Sequence, residues 1–117
     1  MCKRIFAVVV FILCVSLSAA DIKDTWFETL YDGVTRTLPR TCQARKNPEN
    51  RILFIDFPLQ INSSNSFNIP AAKAAIVKAV RGTQDAELIR KADITVIYNY
   101  ITTDRKIYSV VITAKDL

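Results

Sequence analysis

The chain has 117 residues, a hydrophobic fraction of 50%, and 16 Lys and Arg against 11 Asp and Glu, for a formal charge of +5. Such a composition excludes a disordered chain and fits one small domain. There is no histidine and there are only two glycines, which excludes Ser–His and Cys–His nucleophile pairs, His-containing metal sites and glycine-rich phosphate loops.

Residues 1–20 begin with Lys3 and Arg4, continue through an apolar run at 5–15, and end on Ser18, Ala19 and Ala20. This is the pattern of a secretory signal peptide, with cleavage expected between Ala20 and Asp21. The apolar run is shorter than the roughly 18–20 residues of a spanning helix, so no stable transmembrane span is expected after cleavage. The expected location is secreted or periplasmic. A lipid anchor on Cys14 is disfavoured by the bulky Ile12 and Leu13 before it. Cleavage would remove Cys2 and Cys14 and leave Cys42 alone, which excludes an internal disulfide and a paired-cysteine redox site. Cys42 reads as a small, inert hydrophobe. Without Lys3 and Arg4, 14 basic residues face 11 acidic ones, a net charge of +3. That mild excess does not imply nucleic acid.

Residues 21–38 read as a helix capped by Asp21 or Asp24 and stopped by Pro39. Ile22, Trp26, Leu30, Val34 and Leu38 recur every fourth residue, and Phe27 and Tyr31 widen the stripe. Residues 39–50 read as a polar connection. With its flanks it gathers Arg36, Arg40, Arg45, Lys46 and Arg51, either a solvated loop or a surface for an anionic partner. No aromatic residue is interleaved there for base stacking.

Residues 51–61 read as a strand with Leu53, Ile55, Phe57, Leu59 and Ile61 on one face and Ile52 and Phe54 on the other. Pro58 marks an edge, a bulge or the strand's end. Asp56 stands inside this apolar run. As function it would be a general acid or base with a raised pKa. As structure it would cap a turn, pair with an arginine or stand at a sheet edge, and the structural role is the expected one. A Ser/Asn loop follows, with the glycosylation sequon Asn62-Ser63-Ser64. Residues 68–81 read as a second helix, with Asn68 as cap and Ile69, Ala72, Ile76, Ala79 and Val80 as its apolar stripe. Thr83 caps a short third helix at 84–91.

The strongest strand signal is a hairpin, 93–102 and 106–114, around the tip Thr103-Asp104-Arg105. Face consistency sets its register: Tyr100 with Tyr108, Tyr98 with Val110, Val96 with Ile112 and Ile94 with Ala114. The second face then pairs Thr95 with Thr113, Asn99 with Ser109, Ile97 with Val111 and Ile101 with Ile107. With Ile52 and Phe54 this second face is too apolar for bare solvation. The helix bearing Trp26 is expected to cover it. That arrangement puts a helix on each side of the sheet and leaves Trp26 largely buried.

The expected fold is α+β: a small antiparallel or mixed three-stranded sheet packed by helices, in the order α-β-α-(α)-β-β after a cleaved signal peptide. Residues 21–117 form a single domain in this reading. The order is similar to that of short export-compartment modules such as POTRA or BON domains, and the likeness is one of element order alone. The expected function is an exported, non-enzymatic binding or assembly module acting through its surface, with no cofactor and no metal. Its partner would be a protein or an anionic envelope component. The alternatives are a secreted effector, toxin or inhibitor, and a carboxylate-dependent hydrolase. The candidate binding residues are Arg36, Arg40, Arg45, Lys46, Arg51, Ile97, Ile101, Ile107 and Val111.

Overall fold

The computed structural model describes residues 19–64 and 66–117. The expected leader lies outside them except for its last two residues. Helix α1 spans Ala19–Thr37, β1 Gln43–Asn47, β2 Ile52–Pro58, α2 Ile69–Val80, α3 Gln84–Ala92, β3 Thr95–Ile101 and β4 Ile107–Ile112, before a closing 3-10 turn at Ala114–Asp116. The fold is α+β with a mixed sheet in the order β1-β2-β3-β4. The sheet has four strands rather than three, because the polar connection itself contains β1. β1 and β2 form an antiparallel hairpin around the Pro48-Glu49-Asn50 turn.

β2 pairs with β3 in parallel, and β3 with β4 antiparallel. A parallel step cannot be closed by a tight turn. Helices α2 and α3 supply the crossover. Asn68 accepts from the Ala71 N–H at 3.0 Å to start α2, and Gly82 takes the left-handed φ of +84° after its end. Thr83 accepts from the Ala86 N–H at 3.3 Å to start α3. Asp85 and Glu87 lie in its first turn and Arg90 and Lys91 in its last, the arrangement that suits the helix dipole.

The register stacks Leu53, Val96 and Ile112 in one row, Ile55, Tyr98 and Val110 in the next, and Phe57, Tyr100 and Tyr108 in a third. Phe27 and Leu30 of α1 close over this face together with Ile89, Ala92 and Ile94. At its aromatic end Phe67 lies 4.9 Å from Tyr100 and 5.1 Å from Tyr108, centre to centre. Phe57 lies 5.9 Å from Tyr98 and 5.3 Å from Tyr100. Burial pushes the Tyr98 hydroxyl up to about 12.

All three helices join this one core, so the expectation of a helix on each side of the sheet is wrong. The alanine-rich α2 packs against β4, and α1 packs against α3. A helix of small side chains covers little width, which leaves the rest of the same face to α1 and α3. Trp26 packs against the rim of this core and not at its centre. It is half-buried, with Lys91 Nζ 6.0 Å from its ring centre, while Phe27 takes the interior position at 1% exposure. Among the described residues no helix is long and apolar enough to cross a membrane.

The loop after β2 is tied to the β3–β4 tip. Leu59 N–H donates to the Ile101 carbonyl at 2.7 Å and Thr103 N–H to the Ile61 carbonyl at 2.9 Å. Asp104 accepts from the Ser63 N–H at 2.9 Å and the Thr102 hydroxyl at 2.6 Å, and also from the Ser63 hydroxyl. These donors pull the Asp104 carboxyl down to about 2. The carboxylate therefore holds the loop at any pH above its unfolded value near 4, and the tether fades as pH falls through about 2. Asp104→Ala should release the loop at neutral pH. Limited proteolysis should then cut within 59–67 at least several-fold faster than in the wild type.

Candidate interaction surface

The other face of the sheet carries a second set of rows. β1 contributes Gln43, Arg45 and Asn47 to it, opposite Asp56, Phe54 and Ile52 of β2. The pairing continues as Phe54–Ile97–Val111, Asp56–Asn99–Ser109 and Pro58–Ile101–Ile107. Residues two apart on a strand share a face, so these rows lie side by side. No described residue of another element joins them in a packed core. Ile107 is 57% exposed and Val111 42%, and Ile52, Phe54, Ile97 and Ile101 are half-buried by one another and by neighbouring strands.

A polar line crosses the middle of this apolar surface. Arg45 Nε donates to Asp56 Oδ2 at 2.9 Å and Nη2 to Oδ1 at 3.2 Å. Asn99 Nδ2 donates to Asp56 Oδ1 at 3.0 Å, and the Ser109 hydroxyl donates to Asn99 Oδ1 at 2.7 Å. The line touches all four strands. The Arg45 guanidinium also lies over the Phe54 ring, 4.9 Å from its centre. Asn99 is 8% exposed and the Asp56 side chain 16%, and both find partners within the protein. The polar groups of this line are thus engaged with one another, and the rows on either side of it, Phe54–Ile97–Val111 and Pro58–Ile101–Ile107, are apolar.

Asp56 behaves accordingly. The Arg45 hydrogen bond, aided by Asn99, holds its carboxyl below the ordinary carboxylate value against a smaller opposing effect of burial. A general acid at neutral pH needs the opposite shift. Of the structural alternatives, pairing with an arginine is the one the molecule uses; Asp56 lies on an inner strand, not at a sheet edge.

The five basic residues that the sequence groups together are spread over α1, β1 and the turns beside it, and the alternation of β1 sends Arg45 and Lys46 to opposite faces. Arg45 points to the open face. Lys46, its neighbour, faces α1, where Nζ meets Glu28 at 2.7 Å and sits 4.6 Å from the Tyr31 ring centre. Arg51 bonds Asp24 at 3.2 Å. Arg36 and Arg40 are exposed and take part in no ion pair among the described residues. Arg36 borders a shallow groove of about 320 Å³ between α1 and the start of α3, with Gly33, Gln84 and Asp85. Ile97, Ile101, Ile107 and Val111, by contrast, do lie on one surface. Sequence reasoning missed the line from Arg45 to Ser109. The signal was present in the odd position of Asp56 and in the Asn99–Ser109 pair, but β1 was needed to connect them.

Among the described residues no cluster of three or more His, Cys, Asp or Glu could hold a metal ion. Cys42 is half-buried and free. Compared with protein-family models, with curated proteins and with solved structures, the chain matches none.

Proposed function

We propose that this protein is an exported, non-enzymatic binding or assembly module that acts through the uncovered face of its sheet. One observation supports the reading: three helices share one side, while no helix packs over Ile97, Ile101, Ile107 and Val111 on the other, where Ile107 and Val111 are exposed beside the half-buried Ile97 and Ile101. Contiguous exposed apolar surface on a small protein marks an interaction site more often than a random scatter of side chains does. Export rests on the leader pattern of residues 1–20. The partner is a protein with an apolar surface. Binding to an anionic envelope component through the basic segment is the weaker reading, because Arg45, Lys46 and Arg51 are already engaged with Asp56, Glu28 and Asp24. The same pairing weakens the effector alternative.

Chemical crosslinking in the native envelope or secreted fraction, followed by mass identification, tests the surface. Ile97→Lys places a charge at the centre of the face, and its long stem can still lie along the neighbouring aliphatic groups. It should reduce recovery of the crosslinked partner at least tenfold with the melting transition retained. Unchanged recovery from Ile97→Lys, with loss from Arg36→Ala and Arg40→Ala, would transfer the function to the basic residues.

A further inference from the structure

We propose that β4 pairs edge to edge with β4 of a second copy of this chain, antiparallel and centred on Ser109. The proposal deepens the reading of the open face as a binding surface and rests on it, since β4 is the border of that face.

The two edges of the sheet differ. The β1 edge reads Gln-Ala-Arg-Lys-Asn, with two adjacent cations and Pro48 directly after it, devices that discourage further strand pairing. The β4 edge reads Ile-Tyr-Ser-Val-Val-Ile, with no charge, no proline and no glycine. Among the described residues β4 has one strand neighbour, β3.

Hydrogen-bond phase decides which groups face outward. At the hairpin end Thr102 N–H donates to the Lys106 carbonyl at 2.9 Å. Antiparallel ladders alternate every second residue, so Tyr108, Val110 and Ile112 bond toward β3. The backbone N–H and C=O groups of Ile107, Ser109 and Val111 are then directed to the free edge. Two copies related by a two-fold axis at Ser109 would set Ile107 opposite the partner's Val111 and close about six backbone hydrogen bonds. Shifting the axis by one residue either way sets one of these aliphatic side chains against serine. The centred register is the one that covers both Ile107 and Val111, the two exposed aliphatic residues of the strand. No like charges meet across it, whereas self-pairing of β1 would bring Arg45 and Lys46 close to their own copies.

The helix layer agrees. α2 packs against β4 and has no fully buried residue, although Ile69 and four alanines (Ala71, Ala74, Ala75, Ala79) are exposed on it. Pairing of β4 would bring the two α2 helices beside each other over the joined strands. A contact plane about 20 Å long and about 20 Å deep through both layers spans roughly 400 Å² in projection per copy. Side-chain relief brings the total for two copies to about the 1,000 Å² that a specific interface must clear.

Sedimentation velocity on the purified protein between about 1 and 200 μM tests this, with circular dichroism to verify folding. A dimer is expected in this range. Ile107→Lys and Val111→Glu should each weaken dimerisation at least tenfold. Both sites are exposed, so the fold should persist. In the centred register the introduced lysine faces the introduced glutamate of the other copy, so an equimolar mixture of the two variants should regain the dimer. So should the double variant alone. A wild type that stays monomeric throughout, or a dimer indifferent to all these changes, overturns the pairing. Monomeric wild type together with crosslinks lost on Ile97→Lys would remove the second copy as partner and leave the surface reading standing. Dimerisation without any effect of Ile97→Lys on crosslinking to other proteins would do the reverse.

Discussion

Phe27→Ala should lower the free energy of unfolding by about 3–5 kcal/mol. Phe27 is 1% exposed and belongs to the cluster with Leu53, Ile55, Val96, Val110 and Ile112. Truncation removes an aromatic ring at the point where α1 meets the sheet, and a ring-sized void is left because these strands are held in register on both sides. Domains of this size are stable by only about 5–15 kcal/mol, so a large fraction of the total is at stake. Trp26→Ala should cost clearly less, about 1–2 kcal/mol, since the indole is half-buried and forfeits only part of its transfer energy. Urea unfolding followed by circular dichroism measures both, as a shift in midpoint at unchanged slope. A larger cost for Trp26→Ala than for Phe27→Ala would mean that α1 is rotated about its axis relative to the arrangement described.

Asp56→Ala should cost about 2–3 kcal/mol at pH 7, although Asp56 lies on the uncovered face. The substitution removes both Arg45 hydrogen bonds and the Asn99 donor in one step. Bonds to a charged acceptor are worth more than neutral ones, and Asn99, nearly inaccessible to water, keeps an N–H with no acceptor. Arg45 is half-exposed and recovers water, which keeps the loss at this level rather than higher. Acid separates this contribution from packing. The Asp56 carboxyl is lowered by Arg45 and Asn99 relative to its ordinary value. Its stabilising effect is therefore complete above the unfolded value near 4 and declines as pH falls through the lower folded value. The gap in thermal midpoint between wild type and Asp56→Ala should be widest at pH 5–7 and narrow progressively below pH 4. A gap that does not change between pH 7 and pH 3 would place the effect in packing instead.

The hairpin was legible in the sequence because its constraint is local. Six of the eight expected cross-strand pairs, from Val96–Ile112 to Ile101–Ile107, occur in the register that face consistency demands, while Thr95–Thr113 and Ile94–Ala114 lie beyond the ladder, where the chain enters the 3-10 turn at Ala114–Asp116. The α2 and α3 boundaries agree closely as well, since Asn68, Gly82 and Thr83 punctuate them. β1 was not legible. Gln43–Asn47 shows no apolar alternation, because only Ala44 meets the core and an edge strand with a solvated border needs no apolar pattern. Its pattern becomes readable only across the hairpin, where Arg45 meets Asp56 of β2. The side on which α1 docks was not legible either. An amphipathic stripe states that a helix has a buried face without stating which surface receives it. Here the polar line through Asp56, Asn99 and Ser109 marks one face, and the uninterrupted rows of Leu53, Ile55, Val96 and Val110 took all three helices. Of the candidate site, the aliphatic half was readable from strand alternation. The basic half was grouped by proximity in sequence, which a strand undoes by sending Arg45 and Lys46 to opposite sides.

The parallel pairing of β2 with β3 also has a kinetic consequence. Asp56 and Asn99, neighbours across that pairing, are 43 residues apart in the chain. The β3–β4 hairpin needs only local search and forms in about 1–10 μs as an isolated event. Its union with β2 must wait for closure of a loop that contains two helices, at an entropic cost no local contact offsets. During that interval β3 is bare on one side and β4 on the other, and both carry runs of β-branched and aromatic residues. A chain caught at this stage offers two sticky borders instead of one. Refolding at high concentration would therefore lose material to aggregation at a step that precedes the crossover, and a substitution that weakens β2–β3 pairing would lengthen the exposure even where the finished fold tolerates it.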